Sequence, residues 1–170
     1  MNEYPDVTIH TGPLPDAWKL AIETVNMPNP GNLLDEAEIA HRAAKVMANL
    51  ESTEFKIRDD GTLHAFFPNL PGGSSNAPVR SILAFLRKEK VGYHVFDSGD
   101  LEHSPHVWFW HAGMGEDKML FTTEDGVPYV QLDELTAILA ENPTAAQRIE
   151  EAYHINDYKE AVQDRSLGLA

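Results

Sequence analysis

The stretch 77-APVRSILAFLRKEKVGYHVFDSGDLEHSPHVWFWH-111 decides the fold. Its first half repeats apolar residues at helical spacing: Val79, Ile82, Leu83 and Leu86, with Phe85 beside them. Arg87, Lys88 and Lys90 gather at the end of that helix, where the helix dipole favours cations. The second half alternates, as a strand does, over Val91 to Phe96 and again over His106 to His111. A polar turn from Asp97 to Pro105 joins the two strands. The stretch therefore reads helix, strand, turn, strand. It holds two of the three tryptophans and four of the eight histidines.

Pairing Phe96 with His106 gives the expected register of this hairpin. Tyr93, Val95, Val107 and Phe109 then share a core face. Gly92, His94, Phe96, His106, Trp108 and Trp110 share the other, which is aromatic without being aliphatic. Large exposed apolar patches mark interaction surfaces, and tryptophan dominates binding hot spots. Trp108, Trp110, Phe96, His94 and His106 are thus candidate binding residues.

Working outward, Glu54–Arg58 and Thr62–Phe67 flank Asp59-Asp60-Gly61, a three-residue hairpin loop with glycine at its left-handed position. That register puts Phe55, Ile57, Leu63, Ala65 and Phe67 on one face. Lys118–Phe121 and Val127–Gln131 predict a third hairpin around Glu124-Asp125-Gly126. Between the first two hairpins runs Pro68 to Asn76, rich in glycine and serine, directly before the helix at Ala77. Such a loop can hold an anion with backbone N–H groups, and Arg80 stands one turn in, so Arg80 joins the candidate binding residues. The loop lacks the Gly-Lys-Ser/Thr of a nucleotide-binding P-loop.

The ends of the chain read as helical. Leu14, Trp18, Ala21, Ile22 and Val25 follow Pro13 and Pro15 at helical spacing. A second helix is expected from about Leu33 to Glu51, with His41 on its polar side. Asp133, Asn142-Pro143 and the apolar positions beyond them mark two or three C-terminal helices. Residues 1–12 and 166–170 read as loose, with Val7–Thr11 adding at most a short edge strand. The predicted architecture is one α+β domain over residues 1–170. It has a mostly antiparallel sheet of about six strands, flanked by N- and C-terminal helices. Alternating β-α-β units are absent, which argues against a doubly wound parallel sheet.

Composition bounds the function. The chain of 170 residues has no cysteine, which excludes disulfides and thiolate metal sites. No apolar run approaches the roughly 20 residues a membrane helix needs, and the N-terminus lacks a signal peptide, so a cytoplasmic location is expected. Net charge is −14, from 27 acids and 13 bases. Nucleic-acid backbones need clustered Lys and Arg, so direct nucleic-acid binding is disfavoured. The acids concentrate in the flanking helices: residues 131–170 hold eight acids and three bases, against ten and seven in residues 55–130.

No motif assigns a cofactor, a metal or a catalytic residue. Asp97, Asp100, Glu102, His103 and His106 crowd one hairpin loop, where oxygen and imidazole donors suit a divalent ion. Solvated turn residues explain the same run. Ser74, Ser75, Ser81, Ser98 and Ser104 lie in no nucleophile motif. The leading expectation is a small acidic binding or regulatory protein that contacts a protein partner with a basic surface. One specific form is an inhibitor whose acidic surface imitates nucleic acid. The alternative is a metal- or small-ligand-binding protein, or a hydrolase-like enzyme, using the His/Asp-rich hairpin 94–106. A homo-oligomer built on the aromatic face is a third option.

Overall fold

The computed structural model describes residues 3–25, 38, 41, 42, 45, 54–140 and 144–163. Six strands form one antiparallel sheet: β1 (Val7–Pro13), β2 (Glu54–Ile57), β3 (Thr62–Phe67), β4 (Tyr93–Asp97), β5 (His106–Trp110) and β6 (Lys118–Phe121), in the order β2-β3-β1-β4-β5-β6. Among the described residues the helices with both ends placed are α1 (Asp16–Glu23), α2 (Ala77–Lys88), α3 (Leu132–Ala140), α4 (Ala145–Tyr153) and α5 (Ile155–Gln163), with a 3-10 turn at Gly73–Ser75. This is the α+β class that the periodicities predict.

One face of the sheet carries the main core. Val7 and Ile9 of β1, Leu63, Ala65 and Phe67 of β3, and Tyr93 and Val95 of β4 are buried there. Against them pack Trp18, Ala21 and Ile22 of α1 and Val79, Ile82, Leu83 and Leu86 of α2. These helix residues are the ones whose spacing marked an inward stripe. The first hairpin takes its expected register, Ile57 opposite Leu63 and Phe55 opposite Ala65, with Gly61 at φ +84° closing the loop. The opposite face is covered at one end. There Val107, Phe109 and Leu120 meet Ala161 of α5, and Tyr158 lies edge-on to Phe109 at 5.2 Å.

Four expectations change. First, β1 is no loose edge: it sits in the middle of the sheet, between β3 and β4. Its alternation of Val7, Ile9 and Thr11 against Thr8 and His10 suits a strand covered on one face only. Second, Val127–Gln131 forms no strand. Pro128 has no N–H to give a ladder. The segment folds back on the end of β6 through the Thr122–Pro128 bridge, a Thr123 N–H to the Val127 carbonyl and a Tyr129 N–H to the Phe121 carbonyl, while β6 itself pairs with β5. Third, His41 is buried, and its Nδ1 bonds the Ala21 carbonyl at 2.8 Å. The rest of the helix expected over Leu33–Glu51 lies almost wholly outside the described residues, as does the segment 166–170.

Fourth, the central hairpin is displaced by one residue. Phe96 faces Val107, and Asp97 faces His106. Asp97 belongs to the strand because β1 extends the pairing to Val7 opposite Asp97, and the Ser98 N–H bonds the Asp6 carbonyl. The turn therefore starts one residue later than its composition suggests. A one-residue slip sends the whole facing strand to the other side. His106, Trp108 and Trp110 thus join Tyr93, Val95 and Asp97 beneath α2, while His94 and Phe96 share the opposite face with Val107 and Phe109.

Candidate active site between the glycine loop and the histidine hairpin

The register that moved His106 also builds a site. Two consecutive glycines in the left-handed region, Gly72 (φ +79°) and Gly73 (φ +52°), turn the chain tightly ahead of Ser74. A Cβ at Gly73 would stand 2.5 Å from Asp97 Oδ2 and 2.6 Å from Pro5 Cγ, so only glycine lets the carboxylate approach. The Ser74 N–H donates to Asp97 Oδ2 at 2.7 Å, and the Gly99 N–H donates to Asp97 Oδ1 at 2.9 Å. Asp97 is buried, and both its oxygens are held.

Across this support, Ser74 Oγ lies 3.0 Å from His106 Nε2. The other ring nitrogen, Nδ1, lies 2.9 Å from the Ser104 carbonyl, which can only accept. Nδ1 therefore carries the proton, and in the neutral ring the Nε2 lone pair receives the Ser74 hydroxyl. A hydroxyl bonded to an imidazole that a third group orients is the arrangement of an activated nucleophile. Asp97 Oδ2 stands 3.7 Å from the same Nε2, placed to favour the ring once it has taken a proton. This differs from the Ser-His-Asp triad, where the carboxylate holds Nδ1. Because the Ser74 N–H is committed to Asp97, it is not a free oxyanion donor.

The pair opens on a cavity of about 270 Å³, lined also by Pro5, Ser75, Asp100 and His103. Asp100 Oδ1 accepts the Glu102 and His103 N–H groups and lies 3.0 Å from His103 Nδ1. These bonds, the His103 N–H and ring among them, hold its carboxyl below the usual carboxylate range. Among the described residues no group of three or more His, Asp or Glu side chains is arranged to hold a metal ion.

The candidate binding residues scatter. His106 reaches this site. Trp110 is 5% exposed and belongs to the core. Trp108 is partly buried against that core, with the Arg80 guanidinium 5.0 Å above its ring. Arg80 leaves the glycine loop and pairs with Asp117 at 3.0 Å, so it does not serve an anion at that loop. His94 and Phe96 lie on the far face. There His64, His10 and His94 stand side by side across β3, β1 and β4, with ring centroids 4.6 and 4.7 Å apart. Neither this row nor the Ser74–His106 pair follows from local motifs, because each assembles from distant strands and loops. The one local signal for Ser74 was the Gly-Gly pair before it, a mark of backbone that must approach something closely.

No protein-family model, curated protein sequence or solved structure matches this chain. The fold and the site therefore carry the functional reading alone: an α+β protein with a serine–histidine pair at the rim of its sheet.

Proposed function

We propose that the chain is a hydrolase-like protein that handles a small acyl substrate in the Ser74–His106 cavity. The observation that supports this is the Ser74 hydroxyl donating to a histidine nitrogen whose tautomer a backbone carbonyl sets. Ser74 Oγ attacks a carbonyl carbon and passes its proton to His106 Nε2. The protonated ring then returns the proton to the departing alcohol, and water completes the cycle through the same nitrogen. Asp97 anchors the serine backbone and sits beside the imidazolium.

The test is labelling with a fluorophosphonate, together with hydrolysis of p-nitrophenyl acetate. Labelling should map to Ser74. Ser74→Ala should abolish both signals, and His106→Gln should slow them on the order of a hundredfold. Absence of labelling, with hydrolysis unchanged in Ser74→Ala, would sink the reading.

A second reading rests on a separate observation. Met119, Phe121, Val127, Tyr129 and Leu132 are large apolar side chains left exposed on β6 and the segment after it. Residues 118–134 carry four acids (Glu124, Asp125, Asp133 and Glu134) and one base, Lys118. Exposed apolar side chains in a segment that also carries an excess of acids suit a protein partner that is both apolar and basic. This is the acidic binding or regulatory protein the composition suggests, with the patch at β6 taking the place of the tryptophans. Capture of a stoichiometric partner that Phe121→Glu abolishes supports it. Capture unaffected by that substitution counts against it.

A further inference from the structure

The walls of the cavity beside Ser74 and His106 select among substrates by size, polarity and charge. Resting on the hydrolase-like reading of that pair, we propose that the cavity takes a small polar substrate bearing an ammonium group, and that Asp100 is the residue that selects it.

At about 270 Å³ the cavity falls below the roughly 300–1,000 Å³ of sites that hold drug-sized ligands. Among the described residues lining it, Pro5 is the only apolar side chain; the others are glycine, serine, aspartate and histidine. Ordinary ligand pockets are mostly apolar, and these walls give a long acyl chain little to bury against. Two carboxylates, Asp97 and Asp100, line the cavity, with no Lys or Arg among the described lining residues. With His103 and His106 neutral the site is doubly negative, and one proton taken up by His106 still leaves it negative. A cleft lined by one sign of charge concentrates ligands of the opposite sign, and it repels an acid.

The two carboxylates divide the work. Asp97 is buried, with Oδ2 held by the Ser74 N–H and Oδ1 by the Gly99 N–H, so it is committed to shaping the site. Asp100 keeps 25% of its side chain accessible. Its Oδ1 takes the Glu102 N–H at 2.8 Å, the His103 N–H at 2.8 Å and His103 Nδ1 at 3.0 Å. Among the described residues none bonds Oδ2. The bonds to Oδ1 fix the carboxylate and keep it ionised, and they leave the second oxygen for a donor on a ligand. An ammonium group offers three donors and a full charge, and a charge-assisted bond is about twice as strong as a neutral one.

The experiment titrates glycinamide, which carries the ammonium group, into the full chain at neutral pH and fixed ionic strength. Propionamide serves as its uncharged isostere, and the ring resonances of His103 and His106 are followed by NMR. Saturable binding of glycinamide that shifts both rings is expected, with propionamide about tenfold weaker or more, the scale of one charge-assisted hydrogen bond. Asp100→Asn keeps an oxygen for the Glu102 and His103 N–H groups while removing the charge, and should bring glycinamide down to the propionamide level. Asp59→Asn, in the loop at the opposite end of β1 from Asp97, should change nothing. Equal binding of the two amides would overturn the proposal, and so would equal weakening by Asp59→Asn, which marks the diffuse field of an acidic chain. These readouts need no turnover, so the two readings fail separately. Fluorophosphonate labelling of Ser74 without a preference for glycinamide removes the ammonium selection and leaves the acyl chemistry. A selective glycinamide site without labelling does the reverse.

Discussion

Acid should unfold this protein early, and the histidine row supplies a quantitative reason. His94 sits between His10 and Phe109 in the sheet, and its Nδ1 is buried without a partner. Burial first, then the charges of His10 and His64, push its pKa from 6.5 down to about 3. Burial, His64 and Arg58 push His10 down to about 4. His64 is lowered as well, by burial and Arg58, with Glu54 opposing. These are bases that the folded state keeps neutral. Above pH 6.5 neither state binds the proton, and the row has no effect on stability. As pH falls below 6.5 the unfolded chain takes up protons that the folded chain refuses, so stability is lost until the folded pKa is reached. Each unit inside that window costs about 1.4 kcal/mol per group. At about pH 5, some 1.5 units into the window, His94 costs about 2 kcal/mol. His10 is partly exposed, so screening reduces its share to about 1 kcal/mol. Together they remove a large fraction of an ordinary stability of ~5–15 kcal/mol. The assay is urea unfolding followed by tryptophan fluorescence at about pH 8 and pH 5. Carboxylates contribute to the loss in every variant, so the measured quantity is the difference between wild type and His94→Leu. The variant should lose about 2 kcal/mol less on acidification. An equal loss in both proteins would refute the reasoning.

Three further outcomes follow from particular contacts. Gly73→Ala forces a Cβ onto Asp97 and Pro5 at a positive φ, and should cost about 2 kcal/mol or more in chemical denaturation while disordering the Ser74–His106 pair. Leu83→Ala empties a fully buried site between α2 and the sheet, and should lower stability by about 2–5 kcal/mol in the same assay. Tyr93→Phe removes the hydroxyl that donates to Asp117 at 2.9 Å and accepts from Arg87 at 2.7 Å; calorimetry should show a loss of about 1–2 kcal/mol.

Much of the architecture was legible along the chain. The stripes of α1 and α2 and the alternation of β2 and β3 are local patterns, and a pattern of period 3.6 or 2 names the element that can bury it. The Asp-Asp-Gly loop set the first hairpin's register because a three-residue loop with one left-handed glycine allows little else. The central hairpin had no such constraint. Its eight-residue turn, Ser98–Pro105, carries its own hydrogen bonds, including Asp100 N–H to the His103 carbonyl. Composition could not say whether Asp97 belonged to strand or turn. Pairing with β1, some ninety residues earlier, decided it, and with it which face held the tryptophans. For that reason Trp110 went into the core and Trp108 packed partly buried against it.

By itself the sequence determined the class of fold, the inward faces of α1 and α2, the acidic net charge and the absence of thiol chemistry. Those properties depend on residue type and near-neighbour spacing. Tertiary structure decided what stands beside what. It put β1 at the centre of the sheet, lined up His64, His10 and His94, and brought Ser74 to His106 across thirty-two positions of chain. Such contacts between distant segments are fixed by strand register and by the approach of a glycine loop to a buried carboxylate. Neither leaves a local period in the sequence.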